Sequence, residues 1–149
     1  VRWQVWRVAT APQRPALSLA VLARAADVGA VRHEVAAHCT RWGAPRAVAD
    51  AAALCVGELL ANVVVHVGEA APATVRVVWC GGGRLRIAVS DSDPRPLPVL
   101  LAAAPEAESG RGVALIEAFA LRWGVEQGAY TKTVWCELSA TCPPGGSCC

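Results

Sequence analysis

At 149 residues the chain can form one domain with a single core, in which roughly 70% of the unfolded surface leaves water. Its net charge is +2 at pH 7, with 13 Arg and one Lys dispersed among 12 acids, so the clustered basic surface of a nucleic-acid binder is missing. Hydrophobic residues make up 54% of the sequence, yet no unbroken apolar run reaches the roughly 18 residues that cross a bilayer, and the first residues lack the apolar block of a signal peptide, so a cytoplasmic domain without membrane contact is expected.

Residues 2–8 alternate, with Trp3, Val5 and Arg7 on one side and Trp6 and Val8 on the other, which predicts a strand that Pro12 and Pro15 end. A helical region follows over 25–41, where Val28, Val31, Val35 and Cys39 form an apolar stripe, and the sequence Trp42-Gly43-Ala44-Pro45 stops it. A second helix is predicted over 46–67, with Gly68 as its C-terminal cap. It carries Glu58, Asn62 and His66 at four-residue intervals among Leu59, Leu60, Val63, Val64 and Val65. Side chains four apart on a helix are stacked neighbours, so these three make a polar stripe on a greasy surface. An acid and an amide in apolar surroundings are costly unless something bonds to them, and a ligand or metal ion is one such partner.

Residues 74–80 predict a strand, and Gly81-Gly82-Gly83 the turn of a hairpin. In the next strand Leu85, Ile87, Val89 and Asp91 project to one side, because side chains alternate with a period of two. Asp91 therefore follows three core residues inward, as a cap for nearby backbone amides or as a ligand hook. Residues 93–110, with Pro94, Pro96, Pro98 and Pro105, form a long connection of the kind that makes lids or linkers. Gly110-Arg111-Gly112 then opens a helix over 113–122, whose exposed N-terminal amides and positive dipole end suit a phosphate. Trp123-Gly124 ends it, and short strands are predicted over 125–127 and 132–138. Cys39, Cys55, Cys80 and Cys136 fall singly in helices and strands, where thiols act as small hydrophobes. Cys142, Cys148 and Cys149 belong to a Pro/Gly/Ser tail over 140–149 that is expected to be disordered, with a thiol switch or weak metal site as the alternative.

The order of these pieces resembles the GHKL ATPase superfamily and its Bergerat nucleotide-binding fold, in particular the small actinobacterial anti-sigma-factor serine/threonine kinases. The resemblance covers residues 25–139, after an N-terminal strand and connection over 1–24. It implies an α+β fold: a two-layer α/β sandwich whose mixed, mostly antiparallel sheet is covered on one face by about three helices. It further implies ATP and Mg²⁺ as cofactors, with Asn62 as the metal ligand and Glu58 as the general base. One amide oxygen together with phosphate oxygens is a plausible shell for this hard cation. Asp91 would accept from the exocyclic amine of adenine, and Gly110, Arg111 and Gly112 would hold the phosphates. The resemblance points to Thr133 as the hydroxyl on the adenine side, whereas strand alternation places Lys132 with Val134 and Cys136; Thr131-Lys132-Thr133 leaves the register open. His66 is either part of the wider pattern or a structural residue at the helix end, and Arg95 is a loop residue with a solvated role or a contact to ligand or partner. Asp91-Ser92-Asp93-Pro94 lacks the glycines common in the wider superfamily.

The implied activity is that of a kinase acting on a STAS-domain anti-sigma-factor antagonist, with a sigma factor as second partner and a homodimer as the working form. The alternative is a partner-switching module that uses the same pocket without phosphoryl transfer.

Overall fold

The computed structural model describes residues 15–80, 83–92, 116 and 120–140. The strand expected at 2–8, the lid with Arg95, the Gly110-Arg111-Gly112 turn and the cysteine tail lie outside the described residues.

The described chain runs β1 (Ala16–Ala23), a single 3-10 turn (Ala25–Asp27), α1 (Val28–Arg41), α2 (Arg46–His66), β2 (Ala71–Cys80), β3 (Arg84–Asp91), β4 (Arg122–Gln127) and β5 (Lys132–Ser139). The five strands form one sheet in the order β1-β2-β3-β5-β4, and every described pairing is antiparallel. This is the expected α+β arrangement of two layers, with the helices against one face of the sheet. Ile116 is helical and buried, and the amide of Ala120 donates to its carbonyl at 2.7 Å.

The core follows from period-two burial in the strands meeting the apolar side of the helices. Val75 and Val77 from β2, Leu85, Ile87 and Val89 from β3, and Val134, Cys136 and Leu138 from β5 are all buried. Against them α2 sets Ala49, Ala52, Val56, Leu59, Leu60 and Val63, and α1 adds Val35 and Cys39. The alanines let α2 approach the sheet closely, while each leucine contributes about 1.5–3 kcal/mol by leaving water. Burial pushes the Cys39 thiol up to about 11, in keeping with a thiol used as a small hydrophobe. Among the described residues Cys39, Cys55, Cys80 and Cys136 are all free.

Three expectations are corrected. Residues 16–23 form strand β1, which pairs with β2 along its whole length, and not a connection. Leu17 and Ala23 point inward, but the outward positions carry Ala20 and Leu22 as well as Ser18, which erases the apolar/polar contrast that marks a strand. β2 begins at Ala71, three residues early. Pro72 is tolerated because its register faces only Leu22 of β1, the pairing with β3 starting at Ala73. Arg122 and Trp123 belong to β4 and not to a helix and its stop. Gly124 sits opposite Trp135, and a Cβ there would come within 2.9 Å of the indole, so this glycine answers to packing across the strands. By mean hydropathy and length alone α2 could cross a membrane, but 56% of its most apolar window is buried inside the fold, as in a core helix.

The opposite face of the sheet is polar. Glu137, though buried, accepts from Arg122 at 2.7 and 3.0 Å and from Arg86 at 3.4 Å, and Arg84 lies 3.7 Å away. The hydrogen bond from Arg122 holds its carboxyl below the usual range despite burial. Arg86 also stacks 4.1 Å over the Trp135 ring, so guanidinium groups tie β3 and β4 to β5, which lies between them.

Candidate functional site

Helix α2 positions the polar stripe. Its start is fixed by Pro45, whose extended conformation precedes the first turn, and its 21 residues carry Glu58, Asn62 and His66 along one line. Asn62 is buried at 7% exposure and Glu58 is half-buried. Among the described residues neither side chain has a hydrogen-bond or ion-pair partner. A buried amide without a protein partner fits a ligand's metal ion, for which it would be one hard oxygen donor. No group of three His, Cys, Asp or Glu that could hold a metal occurs among the described residues, so an ion beside Asn62 would depend on ligand oxygens for its shell.

The sheet supplies the other end. Asp91 is the last residue of β3 and faces inward behind Val89, as alternation requires. Directly opposite it in the ladder stands Lys132, the first residue of β5, buried at 2% exposure. Its Nζ lies 3.6 Å from Asp91 Oδ2. A cleft of about 440 Å³ opens on the outer face at this end of the sheet, walled by Ala20, Leu22, Thr74 and Ser90 together with Asp91, Ser92 and Thr131, and Lys132 is not among its walls. Glu58 and Asn62 do not line that cleft.

Thr133 is not brought to this side. It faces the outer surface of the sheet, where its hydroxyl meets that of Ser90 at 2.7 Å. Of the two candidates over 131–133, the inward side chain is Lys132, and the reason is the period of two that carries Val134 and Cys136 inward with it.

His66 closes α2 next to the ion pair, and its Nε2 is buried with no hydrogen-bond partner among the described residues. Burial first, and the nearby charge of Lys132 second, push its pKa down from 6.5. The unfolded chain therefore takes up a proton at pH values where the folded protein resists it. The corresponding stability is complete above pH 6.5 and is lost as the pH falls below it. In thermal melts followed by circular dichroism, acidification below 6.5 lowers the wild-type midpoint more steeply than that of His66→Gln.

One contact and one residue escaped the sequence reading. Lys132 was placed by alternation but not joined to Asp91, since pairing register is a tertiary property. Arg32 of α1 lies across Gly57, where a Cβ would sit 2.7 Å from its Cδ. A glycine inside a helix costs about 1 kcal/mol against alanine, and that anomaly was the available signal for a crossing side chain. Gly57 thus seats an arginine stem one residue before Glu58.

A helical layer with a partly unpartnered polar stripe, packed on an antiparallel sheet that ends in a buried acid, is the layout of a two-layer nucleotide-binding sandwich. The chain belongs to the histidine kinase-like ATPase domain family, whose model matches residues 21–136. Membership implies ATP binding and places it in the GHKL group. The chain is 45% identical over 87 residues to the uncharacterized protein SCO4941 of Streptomyces coelicolor, an overlap of 58% of this chain and 83% of that one. Its fold is similar to the RsbU and RsbW domains of Rv1364c from Mycobacterium tuberculosis, with a TM-score of 0.65 and 19% identity. That overlap covers 87% of this chain and 33% of the other. It is also similar to the histidine kinase domain of the blue-light activated histidine kinase EL346 from Erythrobacter litoralis, with a TM-score of 0.53, 19% identity and coverage of 76% and 61%. The chain thus spans less than two thirds of either solved relative.

Proposed function

We propose that this domain binds Mg-ATP and acts as a regulatory serine/threonine-protein kinase of the anti-sigma-factor type. The observation that carries the reading is the pair on α2: a buried Asn62 with no partner among the described residues and a half-buried Glu58 one turn before it. Asn62 would hold the metal ion, which when bound neutralises phosphate charge and orients the terminal phosphate. Glu58, four residues earlier on the same line, would take the proton of a hydroxyl aligned on that phosphate. Asp91 would receive the exocyclic amine of the base, since a carboxylate only accepts. Arg111, with Gly110 and Gly112, completes the phosphate end in this reading.

The substrate class is a hydroxyl on a STAS-domain antagonist, the second partner a sigma factor, the working form a homodimer and the compartment the cytoplasm. These assignments rest on the sequence resemblance to anti-sigma-factor kinases. Incubating the purified protein with labelled ATP, Mg²⁺ and candidate STAS proteins tests the kinase directly. ATP-responsive partner binding with no label transferred would leave the partner-switching module in its place. Asn62→Ala should weaken Mg-ATP binding by far more than the roughly 1 kcal/mol of an ordinary hydrogen bond, because the metal shell is disturbed too. Unchanged affinity in calorimetry would remove Asn62 from that role.

A further inference from the structure

Two thiols meet inside the core, between the helical layer and the sheet. Cys55 stands on the sheet-facing side of α2 with Ala52, Val56 and Leu59, and Cys136 on the inner side of β5 between Val134 and Leu138; the two cysteines are 1% and 0% exposed. Both are free, and their side chains are in hydrogen-bonding contact. Burial by itself pushes a thiol up, as at Cys39, because the thiolate loses its water. At Cys55 the hydrogen bond from Cys136 outweighs both burial and the nearby charge of Glu58, and holds this thiol below its usual value. The same bond, with burial, pushes Cys136 up and keeps its proton in place. One sulfur is thus prepared as a thiolate and its neighbour as a proton donor, the two parts that thiol oxidation requires.

We propose that Cys55 and Cys136 are a redox-responsive pair, which a hydroperoxide closes to a disulfide that ties α2 to β5. The Cys55 thiolate attacks the peroxide and breaks its O–O bond, so that one oxygen becomes the sulfenic hydroxyl of Cys55 and the other leaves as hydroxide, which takes up the proton that the thiol gave. The Cys136 sulfur then bonds to the Cys55 sulfur and displaces the sulfenic hydroxyl, which carries the Cys136 proton away as water. The two thiols lose two electrons and the peroxide gains them. With both sulfurs buried, the reaction needs a small oxidant and its pace is set by local opening of the fold. The cross-link fastens α2 one turn before Glu58.

The test uses the full chain carrying Cys142→Ser, Cys148→Ser and Cys149→Ser, which keeps tail thiols from competing. The folded protein is treated with hydrogen peroxide, its remaining thiols are alkylated after denaturation, and its peptides are mapped by mass spectrometry. A disulfide between Cys55 and Cys136 should form, lowering the mass by about 2 Da for the two hydrogens lost, and dithiothreitol should reverse it. The oxidised protein should melt at a higher temperature than the reduced one, since the link closes a long loop in the unfolded chain. In Cys136→Ala, with folding checked by circular dichroism, Cys55 should stop at the sulfenic acid and be captured by dimedone, whereas in Cys55→Ala Cys136 should stay reduced. Should these variants fail to fold, the peptide map of the parent chain decides alone. Cys55 and Cys136 both still alkylated at peroxide concentrations that oxidise free cysteine in solution, or either of them joined to Cys39 or Cys80 instead, overturns the pair. Dimedone captured at Cys136 and not at Cys55 overturns the assignment of Cys55 as the attacking thiol.

Discussion

Glu58→Ala slows phosphoryl transfer to the substrate hydroxyl by about 100-fold or more and leaves ATP bound, the result expected of a general base that does not hold the nucleotide. The environment of Glu58 makes this a clean experiment. Its side chain is half-buried and, among the described residues, has no hydrogen-bond or ion-pair partner to lose. Alanine is the best helix former, so the substitution does not weaken α2. A fall in rate then reports the proton acceptor and not a loosened fold. Glu58→Gln sharpens the contrast, since the amide keeps the size and polarity of the side chain but cannot take the proton. Single-turnover transfer of labelled phosphate, paired with calorimetry of ATP on the same preparations, reads both quantities. Transfer at the wild-type rate in either variant would take Glu58 out of the reaction.

The part of the site that lies on one element was legible from the sequence, because helix and strand periodicities are local. Glu58, Asn62 and His66 fall in line for the same reason that any residues four apart do, and Asp91 faces inward because Leu85, Ile87 and Val89 do. The same rule carried Lys132 inward with Val134 and Cys136, and it prevailed over the motif resemblance that favoured Thr133. What a period does not encode is which two strands meet. Lys132 faces Asp91 only because β5 inserts between β3 and β4, and that order is set by packing over the whole sheet. Weak signals failed where composition masked them. β1 is nearly all Ala, Leu and Val, so its two faces look alike in sequence. Trp123-Gly124 has the composition of a helix stop, yet the glycine is there to clear the Trp135 ring. The hydropathy of α2, which by itself suits a bilayer, is explained by a helix that packs on the sheet and on α1 together.

Asp91→Ala is expected to destabilise the protein by about 3–5 kcal/mol, in addition to removing the proposed base hook, because it breaks a buried ion pair whose side chains are 2% and 3% exposed. Nothing in the motif pattern alone predicts this: an acid whose task is to meet a ligand is normally dispensable to folding. Here the carboxylate has two tasks, and a loss of ATP binding in the single variant would conflate them. The double variant Asp91→Ala/Lys132→Met separates the two. Removing both charges takes away the broken pair, and apolar replacement of a buried pair is often neutral or stabilising, so urea denaturation should return most of the lost stability. ATP affinity should stay low in the double variant, since the proposed acceptor for the base is gone. A single variant as stable as the wild type would mean that the 3.6 Å pair contributes nothing to the fold. A double variant that recovers stability and ATP binding together would mean that the base is recognised elsewhere. Asp91 thus serves the fold through its pair with Lys132 as well as the proposed contact to the base, which is why a substitution at either must be judged against its partner.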